Sequence, residues 1–313
     1  MEAPGDGVPR PYEETLPDDV HPPLPPQPPT RLPEREADRS EQSAPPLPKL
    51  GVAPAKEAWR QYAVAAPAIN DRPIVAVVID DLGIDRRRTA RAIGLRAPLT
   101  LSFLTYANGL DEQTAVARSA GHELLLHVGM EPSNTAVDPG PNVLLTGLDE
   151  TELRRRLAWG LTRFKGFVGI NNHMGSRFTS DPGGMAVVMD ELSQRGLLFL
   201  DSRTTPESVG EVLARRYGVP SVERNVFLDT VDDAAAVRSR LAEVEALAKK
   251  AGYVVAIGHP RDATLDALQE WLEGLEARGV ALVPLTAVVA RRLNPNWTGD
   301  NSPLLPQSDT EGG

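Results

Sequence analysis

The sequence predicts an α/β protein in which buried parallel strands alternate with amphipathic helices. Three observations predict it. First, between about Pro73 and Leu293 short apolar runs rich in β-branched residues recur: IVAVVID at 74–80, TLSFL at 100–104, HELLLH at 122–127, FVGIN at 167–171, LLFLD at 197–201, NVFLD at 225–229, YVVAIG at 253–258 and VALVPL at 280–285. Second, most of these runs are apolar on both faces, as strands of a parallel sheet covered on both sides are. Third, the intervening stretches have helical spacing, clearest at Val237, Leu241, Val244 and Leu247 in a segment closed by Gly252. Such a strand-then-helix series builds either a closed or nearly closed β/α barrel or a doubly wound open sheet. No internal sequence repeat distinguishes the two.

The elements follow in order. Fifteen of the 29 prolines fall in the first 54 residues, including PPLPPQPP at 22–29. A segment so poor in aromatics cannot bury enough apolar surface to offset its ordering entropy, so residues 1–70 read as a disordered, polyproline-like tether, or else as a low-complexity tail without a role. Residues 71–293 read as the folded domain and 294–313 as a second disordered end. Residues 1–56 carry ten acids and six bases, so −4 of the net charge of −10 belongs to the head. No basic block remains to neutralise phosphates, which argues against nucleic acid and against an anionic membrane surface. The chain has no cysteine, so any metal must be held by His, Asp or Glu. No run approaches the roughly 20 apolar residues that span a bilayer. The first residues carry no signal sequence, so the literal reading of the chain is cytoplasmic.

In parallel β/α folds, function gathers at the carboxyl ends of the strands. The first run ends in Asp80 and Asp81, and Asp85 is the better candidate to cap the following helix. Two adjacent carboxylates at a buried strand end repel one another unless a cation lies between them. The third run ends in His127, with Glu131 four residues on, and the fourth runs into NNHMGSRFT, with Asn171, Asn172, His173 and Arg177. The fifth ends in Asp201 and Arg203, which either pair with each other or bind substrate, and the seventh in His259. Asn172, Arg177, Asp201 and Arg203 are the candidate substrate-binding residues. His122 opens its run and reads as structural. Imidazoles with a carboxylate suit zinc with one position left open for water. A second carboxylate to accept a proton and a histidine to donate one complete a metal-assisted hydrolase.

As a set, VVIDDLG at 77–83, GHELLLHVGMEP at 121–132, GINNHMGSRFTSD at 169–181, LFLDSRTT at 198–205 and AIGHP at 256–260 resemble the divergent polysaccharide deacetylases, a branch of the NodB-like carbohydrate esterases. The resemblance implies a distorted seven-stranded parallel β/α barrel and divalent-metal-dependent removal of N- or O-acetyl groups from a glycan. It implies Asp80 as base, Asp81 and His127 as metal ligands and His259 as general acid. The family's usual second metal histidine is Glu131 here, so His173 is expected to complete the ligand set, with Glu131 as substitute ligand. Envelope relatives imply a periplasmic or envelope protein, with partners there reached through the Pro-rich tether. The rival reading is a noncatalytic glycan-binding or scaffold protein that keeps the barrel, and a third is an amidase.

Overall fold

Ile74 to Ile79 form an uninterrupted β-branched and alanine run, and it becomes the central strand of the sheet in the computed structural model, which describes residues 57–299. The strands are β1 (Ile74–Leu82), β2 (Thr100–Leu104), β3 (Glu123–Met130), β4 (Gly169–Met174), β5 (Leu198–Asp201), β6 (Ser221–Glu223), β7 (Val226–Phe227), β8 (Tyr253–Gly258) and β9 (Ala281–Leu282). The helices are α1 (Ala58–Gln61), α2 (Arg86–Ile93), α3 (Leu110–Ser119), α4 (Glu150–Leu161), α5 (Pro182–Arg195), α6 (Gly210–Tyr217), α7 (Ala234–Ala251), α8 (Asp262–Glu273) and α9 (Leu285–Leu293).

Every ladder is parallel, in the order β6-β5-β4-β3-β2-β1-β8-β7, with β9 joined to the start of β1. The sheet curls into the distorted barrel that the sequence implies. It has nine strands where seven were expected. Three of the nine, β6, β7 and β9, are pieces of only two or three residues, and the Ser221–Glu223 strand is too short to show as an apolar run. β6 and β7 do not pair, and only Arg224 and Asn225 separate them, so the chain itself crosses the seam.

Side-chain alternation sorts the strands into two cores. Val75, Val77 and Ile79 of β1, with Leu124 and Leu126 of β3, face outward against the helices. Ile74, Ala76 and Val78, with Leu125 of β3 and Val255 and Ile257 of β8, face the barrel interior. α9 fills the amino-terminal end of that interior through Leu285, Val288 and Val289. Glu123 holds its first turn, accepting from Thr286 N at 3.1 Å and from the Thr286 hydroxyl.

The folded part extends further at both ends than hydropathy suggests. Trp59 and Ile69, placed in the tether by composition, are buried in the inner core, and Trp59 N–H donates to Gly196 O at 2.9 Å. Burying two such side chains stabilises by about 1.5–3 kcal/mol each, which offsets the order imposed on the segment. Trp297, assigned to the second tail, packs against the same core. Residues 1–56 and 300–313 lie outside the described residues. Among the described residues no helix is long and apolar enough to cross a membrane.

Candidate metal centre

Alternation along β1 turns Asp80 into the barrel, on the face of Ile74, Ala76 and Val78. It should turn Asp81 out. A bulge prevents this: Ile79 pairs with Leu101 and Leu82 with Phe103, so β1 carries one residue more than β2 between those pairs. Asp81 takes the extra place in the left-handed region, at φ 58°. Both carboxylates therefore face the carboxyl-terminal mouth. Gly83 then turns the chain at φ 107°, where an added Cβ would lie 2.6 Å from that of Ala107. The bland explanation for acids beyond a strand is met elsewhere, since Asp85, Asp149, Asp181 and Asp233 cap α2, α4, α5 and α7.

Alternation also points His127 inward, two residues beyond Leu125, and Asn171 and His173 inward, flanking the outward Ile170 and Asn172. Asp81, His127 and His173 each offer one ligand atom, and those atoms lie within 4.8 Å of one another. His173 Nδ1 is 3.0 Å and His127 Nε2 3.4 Å from Asp81 Oδ1. A tetrahedral shell with bonds of about 2.0–2.1 Å has edges of about 3.4 Å, which the two distances to Asp81 Oδ1 approach. Asp81 Oδ1 and both ring nitrogens of His173 are buried and form no hydrogen bond among the described residues. Buried atoms of this kind are costly without a partner, and a cation supplies one. Burial pushes the Asp81 carboxyl up, but the imidazoles of His173, His127 and His259 outweigh burial and hold it well below the usual range.

The remaining candidates divide. Asp80 is fully buried, and its Oδ2 lies 3.7 Å from His127 Nε2. His259 places Nε2 4.0 Å from Asp81 Oδ2. Its Nδ1–H donates to Asp229 Oδ1 at 3.0 Å, while Asp229 Oδ2 accepts from His259 N–H and Thr264 O–H at 2.7 Å each. Burial raises the Asp229 carboxyl, and the His259 imidazole and these bonds bring it below its ordinary value.

The four residues expected to bind substrate stand outside the cluster of ligand atoms. Asn172 has the parity of Ile170, not of Asn171. It is buried against backbone, with Nδ2 donating to Met174 O at 2.7 Å and Oδ1 accepting from Ser202 N–H at 2.8 Å. Asp201 shares the outward face of Phe199, against the start of α6. It accepts from Arg203 N–H at 2.8 Å and Ser208 O–H at 2.6 Å, and burial pushes its carboxyl up. Arg203 reaches Glu223 at 3.5 Å rather than Asp201. Arg177 is exposed and lies 3.4 Å from Glu131. Glu131 also accepts from Thr146 N–H and O–H at 2.6 Å each and pins the loop after β3; the cluster of ligand atoms does not include it. His122 is structural, as expected: Nδ1 accepts from Leu99 N–H at 3.1 Å and Nε2 donates to Ile93 O at 3.0 Å.

Three residues at the mouth escaped the sequence reading. Asn171 was seen but given no role, Ser102 is an inward residue of β2, and Asp229 ends the sixth apolar run as Asp80 ends the first. The signal for Asp229 was therefore present. A fourth, Tyr106, follows β2 and lies over Gly140, where an added Cβ would come within 2.6 Å of its ring. Burial and then the charges of Asp81 and Asp138 raise its phenol above the ordinary value.

A curled parallel sheet with this acid and imidazole cluster at its mouth defines an α/β barrel with a candidate metal centre. Within that class the chain belongs to the divergent polysaccharide deacetylase family, whose model matches residues 77–289. It is 33% identical over 201 residues to an uncharacterised protein of Haemophilus influenzae, covering 64% of this chain and 71% of that one. It is 32% identical over 214 residues to the uncharacterised protein YibQ of Escherichia coli K12, covering 68% of this chain and 66% of that one. An uncharacterised protein of Agrobacterium tumefaciens C58 has a similar crystal structure, with TM-score 0.73 and 28% identity over 76% of this chain and all of that one.

Proposed function

We propose that this protein is a metal-dependent hydrolase that removes acetyl groups from an envelope glycan. The observation that carries the reading is the convergence of Asp81, His127 and His173 between two further groups suited to moving protons, Asp80 and His259. Asp81, His127 and His173 would hold a divalent cation, zinc by the chemistry of the donors, which when bound polarises the acetyl carbonyl and acidifies water. Asp80 accepts the proton of the attacking water, its carboxylate held in place by Asn171. The new bond joins that water oxygen to the acetyl carbon, and the bond to the sugar nitrogen or oxygen breaks. His259, backed at Nδ1 by Asp229, delivers a proton from Nε2 to the departing amine or hydroxyl. Acetate and the free sugar group leave.

The test is acetate release from N- and O-acetylated envelope glycans by the zinc-loaded protein, its chelated form and Asp80→Asn. Release that needs both zinc and Asp80 supports the reading. Glycan binding with no release under any condition replaces it with a binding protein on the same fold. We propose an envelope location on the same grounds, to be checked by fractionation of cells expressing the full-length gene.

A further inference from the structure

Asn171 is fully buried and touches side chains from four other parts of the sheet. Its Nδ2 donates to Asp80 Oδ1 and Oδ2 at 3.0 and 2.9 Å and to Ser202 Oγ at 3.2 Å. Its Oδ1 accepts from Ser102 O–H at 2.6 Å and lies 2.9 Å from His127 Nδ1. β4 reaches Asp80 across the barrel, past β3 and β2, because β1 and β4 are not neighbours in the sheet.

The orientation of the amide follows from its partners. Both carboxyl oxygens of Asp80 lie within 3.0 Å of Nδ2, so the nitrogen end faces Asp80, and the oxygen end must then face donors. Ser102 supplies one. His127 must supply the other, so its Nδ1 carries the hydrogen and its lone pair is left on Nε2. That is the atom 3.4 Å from Asp81 Oδ1.

We propose that Asn171 is a positioning residue which, through one fixed amide, holds the proton-accepting carboxylate of Asp80 and selects Nε2 of His127 as the metal-donor atom. This deepens the proposed function and rests on it for the role of Asp80, but the donor-atom half stands on geometry alone. An outer hydrogen bond of this kind typically changes metal affinity by about 10–100-fold when removed. Leucine at 171 is close to isosteric and removes both halves. Aspartate keeps an acceptor for His127 and loses the donor to Asp80, so the two substitutions separate the two roles.

The experiment combines imidazole nitrogen and carbon NMR of His127 in the zinc-loaded protein with zinc titration calorimetry; acetate release is not a readout. In the wild type, His127 should carry hydrogen on Nδ1 and bind zinc through Nε2. Asn171→Leu should weaken zinc binding about 10–100-fold with loss of that single tautomer. Asn171→Asp should retain the tautomer, and Ser102→Ala should stay within about three-fold of wild-type affinity. Zinc on Nδ1 of His127 in the wild type overturns the proposal without any variant, so it stays testable even if Asn171→Leu does not fold. Unchanged affinity and tautomer in a folded Asn171→Leu protein also overturns it. A wild type that passes these tests yet releases no acetate sinks the hydrolase reading and leaves the donor-atom assignment standing.

Discussion

Asp229 grips His259 at two points, the ring through Nδ1–H and the backbone through N–H, at 3.0 and 2.7 Å. The second contact fixes the strand exit and the first fixes the ring, so Nε2 has one direction available, toward the mouth.

Asp229→Asn should therefore lower kcat for acetate release by about 10²–10⁴-fold, the range by which a positioned proton donor contributes. KM and zinc content should remain near wild type, because neither substrate contact nor ligand is removed. Steady-state kinetics with metal analysis checks this, and a change confined to KM would contradict it.

His173→Ala should abolish stoichiometric zinc binding while leaving the barrel folded. The wild type should gain about 2.7 kcal/mol of stability at zinc one hundred times its dissociation constant. Thermal unfolding with and without zinc measures the difference: a shift for the wild type and none for the variant.

Asp81 sits at φ 58°, a region that Asn tolerates and β-branched residues do not. Asp81→Asn should lose metal affinity with little change in unfolding free energy. Asp81→Val should lose a further 1–3 kcal/mol, roughly the strain of such a backbone. Urea unfolding of the two metal-free variants separates ligand loss from strain.

Burial lowers the His122 pKa below 6.5, against the Ile93 carbonyl, which accepts from Nε2–H and favours the charged ring. The folded state prefers the neutral ring. Its contribution is therefore complete above 6.5 and is lost as pH falls from there toward the folded value. Wild-type stability should decline over that window with a slope of up to about 1.4 kcal/mol per pH unit from this group. His122→Asn should show a shallower decline there and lower stability at pH 8, where Leu99 N–H and Ile93 C=O lose their partner, at about 1–3 kcal/mol.

The fold and much of the mouth could be read from the sequence because strand exits announce themselves. Asp80, Asp81, His127 and His259 all stand where an apolar run stops. What the exits alone do not give is the side of the sheet. Asn171 and Asn172 are adjacent and identical, yet one faces the barrel and the other backbone, and Asp201 falls on the helix side with Phe199. Counting by two from Leu125 or Ile170 separates them. Asp81 breaks even that count, because a bulge leaves no signature in residue type. Trp59 was missed for the opposite reason: it and Tyr62 anchor a stretch whose composition otherwise reads as unfolded.

Trp59→Ala should accordingly destabilise the domain by about 3–5 kcal/mol, as loss of a large core side chain does. A variant as stable as wild type in urea would return residues 57–70 to the tether.

α9, Trp59 and Ile69 pack into the barrel interior, away from the Asp81, His127 and His173 cluster at the carboxyl-terminal mouth. With that interior filled by side chains, a ligand of the cluster would approach from the mouth. Under the proposed function, the small acid and the sugar chain would share that approach, and the order in which they leave would show as a pattern of product inhibition.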